Sequence, residues 1–68
     1  MEGTTKNMTI KKLRLLEDIA NGLDFKDVAS RENISVYTLY DHLKDIRRIL
    51  GVRTTTQAVY VATKSNLI

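Results

Sequence analysis

The chain has 68 residues, with no cysteine, no proline and one histidine. It therefore has no disulfide framework, no thiolate metal site and almost no material for an acid–base centre. Eleven Lys and Arg against eight Asp and Glu give a net charge of +3, which suits a polyanionic partner without requiring one.

A chain this short buries only about 60% of its unfolded surface, so a compact core and short loops are expected. No apolar run approaches a membrane span, and no apolar stretch follows a basic start as in a secretory leader; a cytoplasmic setting is expected. Residues 1–8, MEGTTKNM, are polar and aperiodic, and read as a flexible N-terminal arm before a single domain at 9–68. Thr9 is a good N-cap for a first helix over about 9–21, with Gly22 as its stop and Met8 as a hydrophobic staple. Leu13, Leu16 and Ala20 share one stripe of that helix, widened by Leu15 and Ile19.

Asp24 caps a second helix over about 25–32, in which Val28 and Ala29 face inward and Ala29 is small enough for another helix to cross closely. Asn33 falls where the chain must turn, and Asn is one of the few residues besides Gly that visits positive φ at low cost. Ile34 plugs the turn and Ser35 caps a third helix, 36–50. Its Leu39, Leu43, Ile46 and Leu50 follow steps of four, three and four, a continuous buried stripe ended by Gly51. Thr54 or Thr55 caps a fourth helix, 55–64, rich in Ala58, Val59, Val61 and Ala62. The fold class expected is all-α, with four short helices.

The segment VASRENISVYTLYDH, Val28 to His42, thus reads as two helices joined by a tight turn, a helix-turn-helix whose second helix typically enters the DNA major groove. Outside the buried stripe this helix presents Tyr37, Tyr40, Asp41, Lys44, Arg47 and Arg48, with Tyr40, Lys44 and Arg47 on a common face. Lys and Arg neutralise phosphates, and a Tyr can hydrogen-bond a phosphate or lie against a thymine methyl. The plainer alternative is a solvated amphipathic helix with ion pairs Asp41–Lys44 and Asp45–Arg48. Asp41 and Asp45 oppose DNA contact unless they are paired or accept from a cytosine amino group. His42 stands alone and reads as structural or close to phosphate. The Thr54–Thr56 run reads as a cap, and Tyr60 as a core edge or an interface aromatic.

From Thr9 to Ala62 the chain resembles a LuxR/GerE-type DNA-binding domain. The landmarks are Thr9, Leu15–Leu16, Ile19–Ala20, Gly22, Lys26, Val28–Ala29, Ile34–Ser35, Thr38–Leu39, His42–Leu43, Ile46, Leu50–Gly51–Val52 and Gln57–Ala58, with unbroken spacing. The resemblance implies a four-helix domain in which the third helix reads DNA and the fourth forms a homodimer on inverted half-sites. It carries base-facing roles onto Tyr40, Asp41 and Lys44, and backbone-contacting roles onto Lys26, Ser35, Tyr37 and Thr38. Charge and position add Arg47 and Arg53 to the backbone set. The dimer contact would fall on Ala58, Val59, Val61 and Ala62.

The implied protein is a small stand-alone regulator, bacterial or phage-encoded, cytoplasmic and on the nucleoid when bound, with no catalytic residue, metal or cofactor. Its implied partners are double-stranded DNA, a second copy, and a related regulator or RNA polymerase. The chain departs from the family pattern at Lys12 and Arg14, where acidic residues are usual, and at Tyr40, Asp45, Ile49 and Thr55, where Lys or Arg, Asn, Lys and Arg are usual. Asp18 replaces a buried aliphatic residue and should sit at a rim or pair with a cation. These departures motivate a second reading: an adaptor or antagonist that keeps the fold, pairs with a related regulator and binds DNA weakly.

Overall fold

Each helix begins with a side chain that accepts a hydrogen bond from the backbone three residues on. In the computed structural model, which describes residues 8–68, those residues are Thr9, Asp24, Ser35 and Thr54, all extended, accepting from the N–H groups of Lys12, Asp27, Thr38 and Gln57. They start α1 (Ile10–Ala20), α2 (Phe25–Arg31), α3 (Val36–Leu50) and α4 (Thr55–Lys64). At Thr54 the device is reciprocal: the Gln57 side chain also accepts from the Thr54 backbone N–H, at 3.2 Å. Capping satisfies donors that the first helical turn leaves without partners.

The helix ends are equally uniform. Gly22, Asn33, Gly51 and Asn66 have φ of 95°, 58°, 71° and 60°, the left-handed conformation that Gly and Asn tolerate best. The residue after each donates its N–H five positions back, Leu23 to Asp18, Ile34 to Ala29, Val52 to Arg47 and Leu67 to Ala62, a Schellman closure. Those four following residues are all apolar and all pack against the core. Each turn thus stops a helix and returns an aliphatic side chain inward.

The core consists of Leu15, Leu16, Val28, Ala29, Leu39, Leu43, Ile46, Ala58 and Ala62. α1 and α3 each touch the other three helices, whereas α2 and α4 lie apart on either side of them. The described residues are all helix, turn and loop, and none of their helices is long and apolar enough to cross a membrane. Of the expected arm at 1–8, residues 1–7 lie outside the described residues, while Met8 is half-buried and packs against the core.

α1 corrects its expected stripe. Its fully buried residues are Leu15 and Leu16, flanked by Met8 and Ile19, while Leu13 is half-buried and Ala20 exposed. The centre of the buried face falls between two adjacent leucines because α1 meets three helices rather than one. The opposite edge is clamped to α2 by two ion pairs, Arg31 to Asp18 at 3.0 Å and Arg14 to Glu32 at 3.2 Å. Asp18 accordingly sits at a rim with a cationic partner.

Candidate nucleic-acid interface

The buried side of α3 fixes its exposed side. Opposite Leu39, Leu43, Ile46 and Leu50 runs a parallel strip, Tyr37, Asp41, Lys44 and Arg48, with the same steps of four, three and four. All four are exposed, Tyr37 at 82%. This rotates the expected face. Tyr40 is 49% exposed and turned toward α2, its ring edge-on to Phe25 with centroids 5.9 Å apart. Arg47 is half-buried on the same flank and donates to the Thr55 hydroxyl of α4 at 3.4 Å, so it ties two helices together instead of lying in the strip with Lys44.

Arg48, which belongs to neither the base-facing nor the backbone set above, lies in this strip. The periodicity that defines the buried stripe, shifted to the outer side of the helix, would have selected it. Its guanidinium donates to Asp45 at 3.1 Å, an i,i+3 pair that holds the Asp45 carboxyl below the usual carboxylate range. The expected Asp45–Arg48 pair is therefore present. The Asp41–Lys44 pair is not formed, which leaves one free carboxylate and one free ammonium at the centre of the strip among the described residues.

The start of α3 gathers small hydroxyls. Ser35 Oγ accepts from the Thr38 N–H at 3.0 Å and donates to Thr38 Oγ1 at 3.1 Å, with both residues exposed. Lys26 is exposed in the first turn of α2. Arg53 is exposed in the α3–α4 loop, with its backbone N–H fixed by Gln57 Oε1 at 2.9 Å.

On the flank of α3 away from Tyr40, His42 is half-buried. Burial depresses its pKa, and the charges of Lys12 and then Lys11 depress it further, against the weaker pull of Asp45 and Asp41. The folded protein thus prefers neutral imidazole. As pH falls through the interval just below the ordinary value of 6.5, the unfolded chain takes up a proton that the folded one resists, and stability drops. The melting temperature is expected to rise with pH across that interval, and His42→Gln should flatten the rise. An unchanged slope in the variant would assign the titration elsewhere.

α4 corrects the expected dimer contact. Ala58 and Ala62 are 1% and 0% exposed, enclosed in the protomer's own core, where their small side chains let α4 approach α1 and α3. Val59 is half-buried against that core; Val61 is half-buried too. The outer face of α4 instead carries Tyr60, 63% exposed, with the Lys64 ammonium 5.9 Å from its ring centroid. An open cleft of about 310 Å³ lies between helix ends, lined by Ile19, Ala20, Phe25, Thr55, Thr56 and Val59.

No family model matches the chain, and no curated protein matches it.

Proposed function

We propose that the chain is a sequence-specific DNA-binding transcriptional regulator of the LuxR/GerE type, reading the major groove with α3 as a homodimer on inverted half-sites. One observation carries this reading: the outward strip Tyr37–Asp41–Lys44–Arg48 on a helix whose angle is fixed by the Asn33–Ile34 turn and the Ser35 cap. A helix of about 10–12 Å diameter fits a major groove about 12 Å wide, with its outer side chains at the base edges. In this reading Asp41 and Lys44 face the bases, joined by Arg48 of the same strip, with Tyr40 at the edge of the strip beside α2. Lys26, Ser35, Tyr37, Thr38 and Arg53 serve the backbone. The partner helix is α4, through Tyr60 and Val61 rather than its buried alanines.

The free Asp41 carboxylate at the centre of the strip favours a second reading, a protein-binding adaptor or antagonist that pairs with a related regulator and holds DNA weakly. Fluorescence anisotropy on a random-sequence duplex separates the two. The regulator should bind with a Kd in the micromolar range at about 50 mM salt and weaken steeply by about 200 mM, because phosphate neutralisation releases counterions. Absence of binding at about 50 mM salt with micromolar protein discards the regulator and leaves the adaptor.

A further inference from the structure

The two exposed tyrosines of α3 are held differently. Tyr37 is 82% exposed and lies in the outer strip. Tyr40 is 49% exposed, with its ring edge-on to Phe25, 5.9 Å between centroids and 68° between planes. Phe25 is half-buried and packs against the core, so the platform beside Tyr40 is part of the fold. Edge-to-face pairs have a preferred geometry and contribute beyond the area they bury, which restricts the rotamers open to Tyr40. At about 100° per residue, Tyr40 stands a little over a quarter turn round α3 from Asp41, on the side of α2. α2 brings to this flank an exposed Lys26, next in the chain to Phe25, together with the exposed carboxylates of Asp24 and Asp27. Asp24 is engaged as the helix cap, accepting from the Asp27 N–H at 2.9 Å. The flank thus offers little net positive charge. What it offers is a ring in a fixed place with a hydroxyl at its end.

We propose that Phe25 is a positioning residue for duplex binding: it fixes Tyr40 so that the phenol hydroxyl donates to a backbone phosphate at the wall of the major groove, on the side of α2. This inference rests on the DNA-binding reading above, and gives Tyr40 a different role from the base contact that the family resemblance implies. A helix seated in the groove turns its outer strip to the base edges, while a group a quarter turn away meets the phosphate strand along that side. A ring that a neighbour already holds loses less entropy on binding than a free one. The contact has a signature that Lys and Arg contacts lack. An uncharged donor displaces no counterion, so it adds affinity without steepening the salt dependence. It adds that affinity equally on every sequence, because phosphates are the same along the strand.

The test is duplex binding by the full chain, with variants of both rings. Tyr40→Phe keeps the ring beside Phe25 and removes only the hydroxyl. It should bind roughly tenfold more weakly at about 100 mM salt, with the melting temperature and the slope of log K against log salt both unchanged. Lys26→Gln is the contrast, expected to lose about one unit of that slope. Phe25→Leu should bind about threefold more weakly than the wild type, yet make no further difference in a Tyr40→Phe background. A Phe25 that only supports the fold would weaken both backgrounds by the same factor, and that result overturns the positioning role. Phe25→Met gives the same cycle if Phe25→Leu melts. A Tyr40→Phe loss confined to some sequences would make Tyr40 a base reader and overturn the phosphate contact. If the wild type binds duplex DNA and Tyr40→Phe binds equally well, Tyr40 only covers Phe25; this inference is then overturned and the α3 reading stands. If the wild type does not bind duplex DNA at all, both are overturned.

Discussion

Leu39→Ala is expected to remove most or all of the stability of this domain. Leu39 is 0% exposed and lies at the inner side of α3, the helix that touches all three others together with α1. Truncating a buried Leu to Ala typically costs about 2–5 kcal/mol, through lost burial and the cavity left behind. At about 0.05–0.15 kcal/mol per residue, a folded unit of this length holds only some 3–9 kcal/mol in reserve. The two figures are close, so urea melts of the variant should show a midpoint near zero denaturant or no cooperative transition. Tyr37→Ala is the comparison: its side chain is 82% exposed on the same helix, and removing it should move stability by no more than about 0.5 kcal/mol. A Leu39→Ala midpoint equal to that of the wild type would mean that the core is not assembled around α3.

The local devices of the fold were legible because each is written in two or three adjacent residues. Thr9, Asp24 and Ser35 announce helix starts, and Gly22, Asn33 and Gly51 announce ends, because capping and positive φ depend on the residue itself. Asn66 closes α4 as Asn33 closes α2, with positive φ and the following apolar residue bonded five positions back. What local pattern could not supply was the number of neighbours a helix has. α1 buries adjacent leucines because it is surrounded on several sides, which leaves Leu13 half-buried and Ala20 exposed at the edge of the buried face.

The candidate site divides along the same line. Ser35, Thr38 and Lys44 are exposed on or beside the outer side of α3, as helix periodicity requires of residues outside the buried stripe. Ala58 and Ala62 looked like an interface because they are small and apolar, the same properties that admit close helix crossing inside one protomer. Arg47 looked like a phosphate contact because its charge is visible in the sequence and Thr55, to which it donates, is eight residues away across a turn. Arg48 is the converse: a cation whose place in the outer strip follows from the buried stripe alone.

Lys44→Ala is the substitution expected to do the most to duplex binding while leaving the fold unchanged. Lys44 is exposed, unpaired among the described residues and one turn from Asp41 and Arg48 in the strip, so its ammonium is the free cation at the centre of the proposed reading face. If it donates to a guanine edge, its loss should weaken a preferred duplex selected from a random pool by about 1–3 kcal/mol, or about 5- to 150-fold, and relax the preference at one base pair. A phosphate contact alone predicts a different outcome: equal weakening on every sequence and a salt slope lower by about one unit. Tyr60→Ala supplies the contrast, since Tyr60 lies on the outer face of α4 and should leave binding of a single half-site unchanged. The reverse pattern, with Tyr60 essential on a half-site and Lys44 dispensable, would move the reading element from α3 to α4. The selection also measures what Asp41 does, because a carboxylate beside Lys44 repels phosphate everywhere but accepts a hydrogen bond from a cytosine amino group. A guanine preferred opposite Lys44 with a cytosine at the neighbouring position would give both charges a role in one recognition step.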